Sequence, residues 1–250
     1  MTFPYKEPFS VKPLEIWSFI PKKAMVIFAH PDDAEIGAGG TAAMWSSKEC
    51  EVTYVQCTSG SSGSNDKTMT SKKITQIRLD EQKSAADVIG VRNFINFEFP
   101  DGALESDRTF LYQMVEVIRK YQPEVVMTHD PFRINGFQHR DHRMTGITVQ
   151  DAIYPYARDH LHFPNQIEKG LTTHKVKTLL FWGSDNPNTI VDVSQTTKLK
   201  ISALSKHASQ VPGLSFGSEL DTKIRERMNK VARGYGFKYG ESFRKIETRS

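Results

Sequence analysis

Short apolar runs alternate with stretches of helical spacing along most of this sequence, and that alternation restricts it to few folds. Residues 24–29 (AMVIFA) are continuously apolar and end at a Gly-bearing loop, the pattern of a strand buried on both faces. Runs 51–57, 93–97 and 124–128 give three further strands, and 177–182 and 189–193 two more. Between them, 41–48, 73–89, 109–121 and 141–152 read as helices. In 73–89, Ile74, Ile77, Ala85, Val88 and Ile89 share one stripe, and Gly90 stops it. Helices are also predicted at 196–209, with Leu199, Ala203 and Leu204 inward, and at 224–233, with the tail as coil or a short strand. Strands alternating with helices specify an α/β fold: a Rossmann-like, doubly wound, mostly parallel sheet with helices on both faces. Ligands of such sheets bind beyond the carboxyl ends of the strands, where strand order reverses. With the usual order, the first and fourth runs lie side by side there.

A chain of 250 residues buries a sizeable core without disulfides or structural metal, so a metal here would serve chemistry. Its net charge of +4 comes without a Lys/Arg block, which argues against nucleic acid as a partner. No apolar run approaches the ~18 residues of a membrane span. Cys50 and Cys57 are too few for a disulfide framework and fit a reducing cytoplasm. The proline-bearing, polar N-terminus does not read as a signal peptide. Residues 1–23 read as an extended arm whose Phe3, Tyr5, Phe9, Trp17 and Phe19 should pack on the domain or on a neighbouring subunit of a homo-oligomer, and residues 24–250 as one domain. Segment 58–70, polar and Gly/Ser-rich, is a loop long enough for a lid, or a plain solvated loop.

The first strand ends in His30-Pro31-Asp32-Asp33-Ala34-Glu35, and the fourth is followed by His129-Asp130-Pro131 and by Gln138-His139-Arg140-Asp141-His142. Both clusters fall at the same crevice of the expected sheet. A catalytic zinc takes three protein N/O ligands and keeps one position open. His30 and Asp33, three apart on a tight loop, with His142 from the neighbouring strand end, supply that set for one Zn2+ per chain; manganese, iron or cobalt suit the same donors. Asp32 is then placed as general base toward water. His139 would donate to a tetrahedral oxyanion or protonate a leaving amine, with Asp141 holding it in one orientation. This is metal-assisted hydrolysis of a carbonyl.

These residues carry a resemblance. Ala29-His30-Pro31-Asp32-Asp33 with Gly37-Ala38-Gly39-Gly40-Thr41, Arg78 with Glu81, Pro100-Asp101-Gly102, Thr128-His129-Asp130-Pro131 and His139-Arg140-Asp141-His142 resemble the LmbE-like, PIG-L-type N-acetylglucosaminyl deacetylases, over residues 24 to about 210. The resemblance implies His30, Asp33 and His142 as metal ligands, Asp32 as base and His139 as transition-state acid oriented by Asp141. It also implies Arg78 and Asp101 as substrate contacts, and His207 near the pocket with a less defined role. Two positions depart: where relatives carry an oxyanion-side tyrosine stands Phe137, and where a proline is common stands Arg140.

Taken singly, His30 would more often be a satisfied loop histidine, Arg78 an exposed helix charge and His207 a structural residue; His129 reads as pocket wall and Cys57 as a small buried hydrophobe. Gly37 to Gly40 lack the dinucleotide fingerprint and follow acids that repel phosphate, so they read as glycines that let a helix approach the sheet. The expected activity is zinc-dependent removal of an N-acyl group, acetyl first, from an amino sugar or its conjugate. The alternative is an amidohydrolase on a non-sugar amide such as a thiol conjugate, and the third reading a non-enzymatic binding module.

Overall fold

The structure, a computed structural model, describes residues 13–248. Its elements are β1 (Glu15–Ile16), β2 (Lys23–Phe28), α1 (Asp33–Ser46), β3 (Glu51–Thr58), α2 (Ser71–Ile89), β4 (Asn93–Phe99), α3 (Arg108–Tyr121), β5 (Val125–His129), α4 (Arg140–Ile153), α5 (Pro164–Glu168), β6 (Thr178–Trp182), β7 (Thr189–Asp192), α6 (Thr197–Leu204), α7 (Glu219–Ala232) and β8 (Gly240–Glu247). All eight strands form one sheet in the order β1-β7-β8-β6-β5-β2-β3-β4. β2 pairs in parallel with both β3 and β5, so the chain reverses direction across the sheet between β2 and β5. The expected α/β fold is the observed one, and the first and fourth predicted strands are neighbours at that switch point.

Two cores explain the continuous apolar runs. Ala24, Val26 and Phe28 of β2 join Val125 and Met127 of β5 on one face, under α1, α2, α6 and α7. Met25, Ile27 and Val126 point to the other face, under α3 and α4. With both faces covered, neither parity of the strand can be polar.

Several elements differ from expectation. α1 starts at Asp33, eight residues before the predicted start, and runs through its glycines. A Cβ on Gly37 would meet the Trp182 ring at 2.6 Å, and one on Gly40 the Val193 side chain at 2.9 Å, so the glycines do bring this helix close to the sheet. The C-terminal segment is a full strand, β8, which runs antiparallel between β6 and β7. α6 ends at Leu204, and Leu199, expected inward, is 38% exposed. Lys200 turns inward instead, because its ammonium has a buried partner: Nζ lies 2.6 Å from Glu241 Oε1 and donates to Ile36 O at 2.9 Å. Glu241 also accepts the Gly40 and Thr41 amides, which ties α1 to the sheet.

Of the N-terminal arm, Phe3, Tyr5 and Phe9 lie outside the described residues. Glu15 and Ile16 add an edge strand to β7, and Trp17 packs near Trp45, with ring centroids 6.5 Å apart. No described helix is long and apolar enough to cross a membrane.

Candidate metal centre

The carboxyl ends of β2 and β5 bring His30, Asp33 and His142 together as the sequence suggested. His30 follows β2, Asp33 opens α1, and His142 sits in the first turn of α4, which begins after the loop leaving β5. His30 Nδ1 lies 3.3 Å from His142 Nε2 and 3.3 Å from Asp33 Oδ2, and His142 Nε2 lies 3.1 Å from Asp33 Oδ1. A tetrahedral ion with donors about 2.0–2.1 Å away separates those donors by about 3.3 Å, so this triangle has the dimensions of one face of such a site.

The surrounding groups fix which ring nitrogens point inward. His30 Nε2 faces Asp141 Oδ2 at 3.0 Å and Asp101 Oδ1 at 3.2 Å. An N–H there satisfies both carboxylates and leaves the Nδ1 lone pair for the triangle. Burial pulls the His30 imidazole down, but hydrogen bonds to Asp101, Asp141 and Asp33 outweigh it and push it up to about 11. That is the signature of a pocket that demands positive charge. Asp33 also resists burial: His129 and His142 hold its carboxyl well below the usual range. The carboxylates of Asp32, Asp33, Asp101 and Asp141 converge here, with the Arg78 guanidinium beside Asp32 and Asp101. Converging imidazoles and excess carboxylate suit a divalent cation, and three overlapping sets of donors come close enough to share one: His30, His139 and His142; Asp33, His129 and His142; and His30, Asp101, His139 and Asp141.

Asp32 sits in the turn before α1 with φ 98°, a left-handed conformation that side chains other than Gly adopt rarely. Its side chain caps nothing in α1 and is free to face the crevice. Burial and the neighbouring Asp33 raise its carboxyl to about 8, with Arg78 opposing.

The structure gives four of the expected site residues other partners. Asp141 was expected to hold His139 through its carboxylate. That carboxylate is instead committed to His30 and to the backbone N–H groups of Gly102 and Leu104 at 2.7 and 3.2 Å. What holds His139 is the Asp141 backbone N–H, which donates to Nδ1 at 3.1 Å. Nδ1 is thereby an acceptor, so Nε2 carries the ring proton, and burial together with His30 lowers the pKa and keeps the ring neutral.

His207, expected at the substrate, is fully buried, and its Nε2 pairs with Glu35 Oε2 at 3.2 Å. Because α6 stops at Leu204, His207 falls in a turn behind α1, where burial demands a charged partner rather than a ligand. Asp101 and Arg78, expected at substrate hydroxyls, are turned inward. Asp101 faces His30 and Arg78, and Arg78 donates to Pro31 O at 3.0 Å and Ser62 O at 3.1 Å, tying the 58–64 loop to the His30–Asp33 turn.

The site has three further contributors, of which Trp182 and Gln82 went unassigned in the sequence. His129, read as pocket wall, stacks on His142 with centroids 4.0 Å apart and reaches Asp33 Oδ2 with Nε2 at 3.4 Å. Trp182 Nε1–H donates to His129 Nδ1 at 3.2 Å, and the Ala29 backbone N–H approaches His129 Nε2 at 3.3 Å. Burial lowers His129 to about 4. Gln82, on α2 one turn after Arg78, accepts the Asp32 N–H at 3.0 Å. Its i,i+4 spacing from Arg78 was visible in the sequence; its target was not. At the mouth, Phe137 and Ile134 are exposed side chains on the loop before His139.

Known proteins resemble this chain in sequence and in fold. The family described as PIG-L, GlcNAc-PI de-N-acetylase, matches residues 25–153. Diacetylchitobiose deacetylase of Thermococcus kodakarensis is 32% identical over 191 residues, 76% of this chain and 71% of that protein. Mycothiol S-conjugate amidase of Streptomyces coelicolor is 28% identical over 67% of this chain and 63% of its own. The solved structure of N,N'-diacetylchitobiose deacetylase from Pyrococcus horikoshii, complexed with an inhibitor, superposes with a TM-score of 0.84 at 28% identity, covering 91% of this chain and 84% of that one.

Proposed function

The chain belongs to the PIG-L family of de-N-acetylases, and on that premise we propose that it is a zinc-dependent hydrolase that removes an N-acyl group, acetyl foremost, from an amino sugar or its conjugate. The observation that carries the reading is the donor triangle of His30, Asp33 and His142 at the switch point of the sheet. These three residues would hold the ion. Bound there, it supplies Lewis acidity, which polarises an amide carbonyl and makes water easier to deprotonate.

The chain's own groups supply the rest. Asp32 takes a proton from the attacking water; burial sets its carboxyl near the operating range of a general base. As hydroxide adds to the carbonyl carbon, His139 Nε2–H donates to the developing oxyanion. With Nδ1 engaged by the Asp141 amide, this hydrogen-bonding role suits His139 better than that of a cationic acid. When the C–N bond breaks, Asp32 passes its proton to the departing nitrogen, and acetate and free amine leave. Asp141 holds His30 through its carboxylate and His139 through its amide, so one residue sets both rings. Arg78 and Asp101 hold the loops that wall the crevice, and a sugar hydroxyl would meet them only at its edge. The two buried, unpaired cysteines favour a reducing compartment.

A panel assay tests the reading. Zinc-loaded protein is incubated with N-acetylated mono- and disaccharides and their conjugates, and freed amine and acetate are measured. Equal release of both from an acetylated amino sugar is the expected result. No turnover of any sugar, with cleavage of thiol-conjugate amides, would replace it with the alternative that the similarity to an S-conjugate amidase favours.

A further inference from the structure

The turn carrying Asp32 is gripped from α2 at both ends of one peptide segment. Arg78 Nη2 donates to the Pro31 carbonyl at 3.0 Å, and Gln82 Oε1 accepts the Asp32 amide at 3.0 Å. Gln82 has no solvent exposure. Its own amide group donates to Glu35 at 3.1 and 3.3 Å, and Glu35 is held by His207 at 3.2 Å. Glu35 and His207 are likewise fully buried. Donor and acceptor alternate along this string, with no freedom left in the orientation of the Gln82 amide: its oxygen must face Asp32 and its nitrogen the carboxylate. A buried polar string of this kind needs a reason, since apolar side chains would fill the same space at lower desolvation cost. The reason lies at its end. Asp32 holds φ 98°, a conformation that a non-glycine residue keeps only where its surroundings over-determine it.

We propose that Gln82 is a positioning residue for the reaction, which uses Glu35 and His207 as its anchor to lock the Asp32 backbone in the left-handed turn that aims the carboxylate into the crevice. The inference rests on the hydrolase reading above. Gln82 touches no reacting atom and acts through Asp32.

The test compares wild type with Gln82→Met, which keeps the volume and removes both hydrogen bonds, and Gln82→Glu, which keeps an acceptor for the Asp32 amide and, sharing one proton with the buried Glu35 carboxylate, keeps a donor to it as well. In the zinc-loaded enzyme, Gln82→Met should lower kcat about 10–100-fold, the range a misaimed reacting group produces. KM should stay near wild type and zinc content should not change, while Gln82→Glu recovers kcat toward wild type. Amide exchange read by NMR supplies the second measurement: the Asp32 N–H is protected in wild type and in Gln82→Glu, and exposed in Gln82→Met. A Gln82→Met enzyme with wild-type kcat, or with Asp32 protection unchanged, overturns the proposal. So does a loss that falls on KM or zinc content alone. Wild type inactive on every substrate would sink the hydrolase reading instead, and the exchange of the Asp32 amide would then decide the clamp alone.

Discussion

Replacing Lys200 by methionine should destabilise the protein sharply, although the residue lies outside the reacting groups. Lys200 and Glu241 have side chains only 5% and 4% exposed, and their charged atoms are 2.6 Å apart. Glu241 further accepts the amides of Gly40 and Thr41 at 2.9 and 2.8 Å and the Thr41 hydroxyl at 2.6 Å. Removing the ammonium leaves a buried carboxylate with neutral donors only, and leaves the Ile36 carbonyl short of a partner. Breaking such a pair from one side costs about 3–5 kcal/mol. For a chain of this size, at about 2–4 °C per kcal/mol, that is roughly 6–20 °C in Tm. Thermal unfolding by calorimetry is the assay, with the double variant Lys200→Met/Glu241→Gln alongside. The double variant no longer buries an unpaired charge, so it should be less destabilised than the sum of its single variants by about 1–3 kcal/mol. A Lys200→Met protein melting within about 2 °C of wild type, or additive single effects, would refute the reasoning, because then the pair would be solvated or uncoupled.

Three other outcomes follow from the site. Hydrolysis should rise with pH on its acid side: Asp32 acts only when ionised, and its carboxyl is raised to about 8, so the limb lies at or below that value once a neighbouring cation favours the charged form. The pH profile of kcat/KM checks this, and Asp32→Asn should lose both the limb and the activity. Asp141→Asn should weaken metal affinity about 10–100-fold, measured by chelator competition, because the His30 Nε2–H loses the nearer of its two carboxylate partners. Native protein should resist thiol reagents while unfolded protein reacts at two sites, since burial raises the Cys50 thiol to about 12 and the buried Cys57 thiol well above its ordinary value.

Much of this was legible in the sequence because it is encoded locally. The run 24–29 is apolar at both parities since β2 has a core on each face, and His30 and Asp33 are three residues apart, so any turn after that strand brings them together. The switch point then put His142 within reach without further information. What escaped depended on pairing across distance. α1 seemed to begin after its glycines, since three glycines in eight positions oppose a helix on propensity. Only Trp182 and Val193, more than 140 residues away, show why side chains are excluded there. Leu199 was placed inward on spacing alone, whereas it is Lys200 that turns inward, because Glu241 supplies a buried countercharge. His207 came from the resemblance as a residue near the pocket and taken singly read as structural, and its pairing with the buried Glu35 fits the second reading. Asp141 could be assigned to an imidazole but not to the correct one, since the choice between His30 and His139 depends on where the Gly102–Leu104 turn places its amides.

The central claim is that His30, Asp33 and His142 hold one divalent cation. Metal content after dialysis, read by mass spectrometry for wild type and for His142→Ala, tests it most directly. One equivalent of zinc per chain in wild type, and a small fraction of that in a folded His142→Ala protein, is the predicted result. Wild type that retains no stoichiometric metal from a zinc-containing buffer, or His142→Ala that retains a full equivalent, would contradict it.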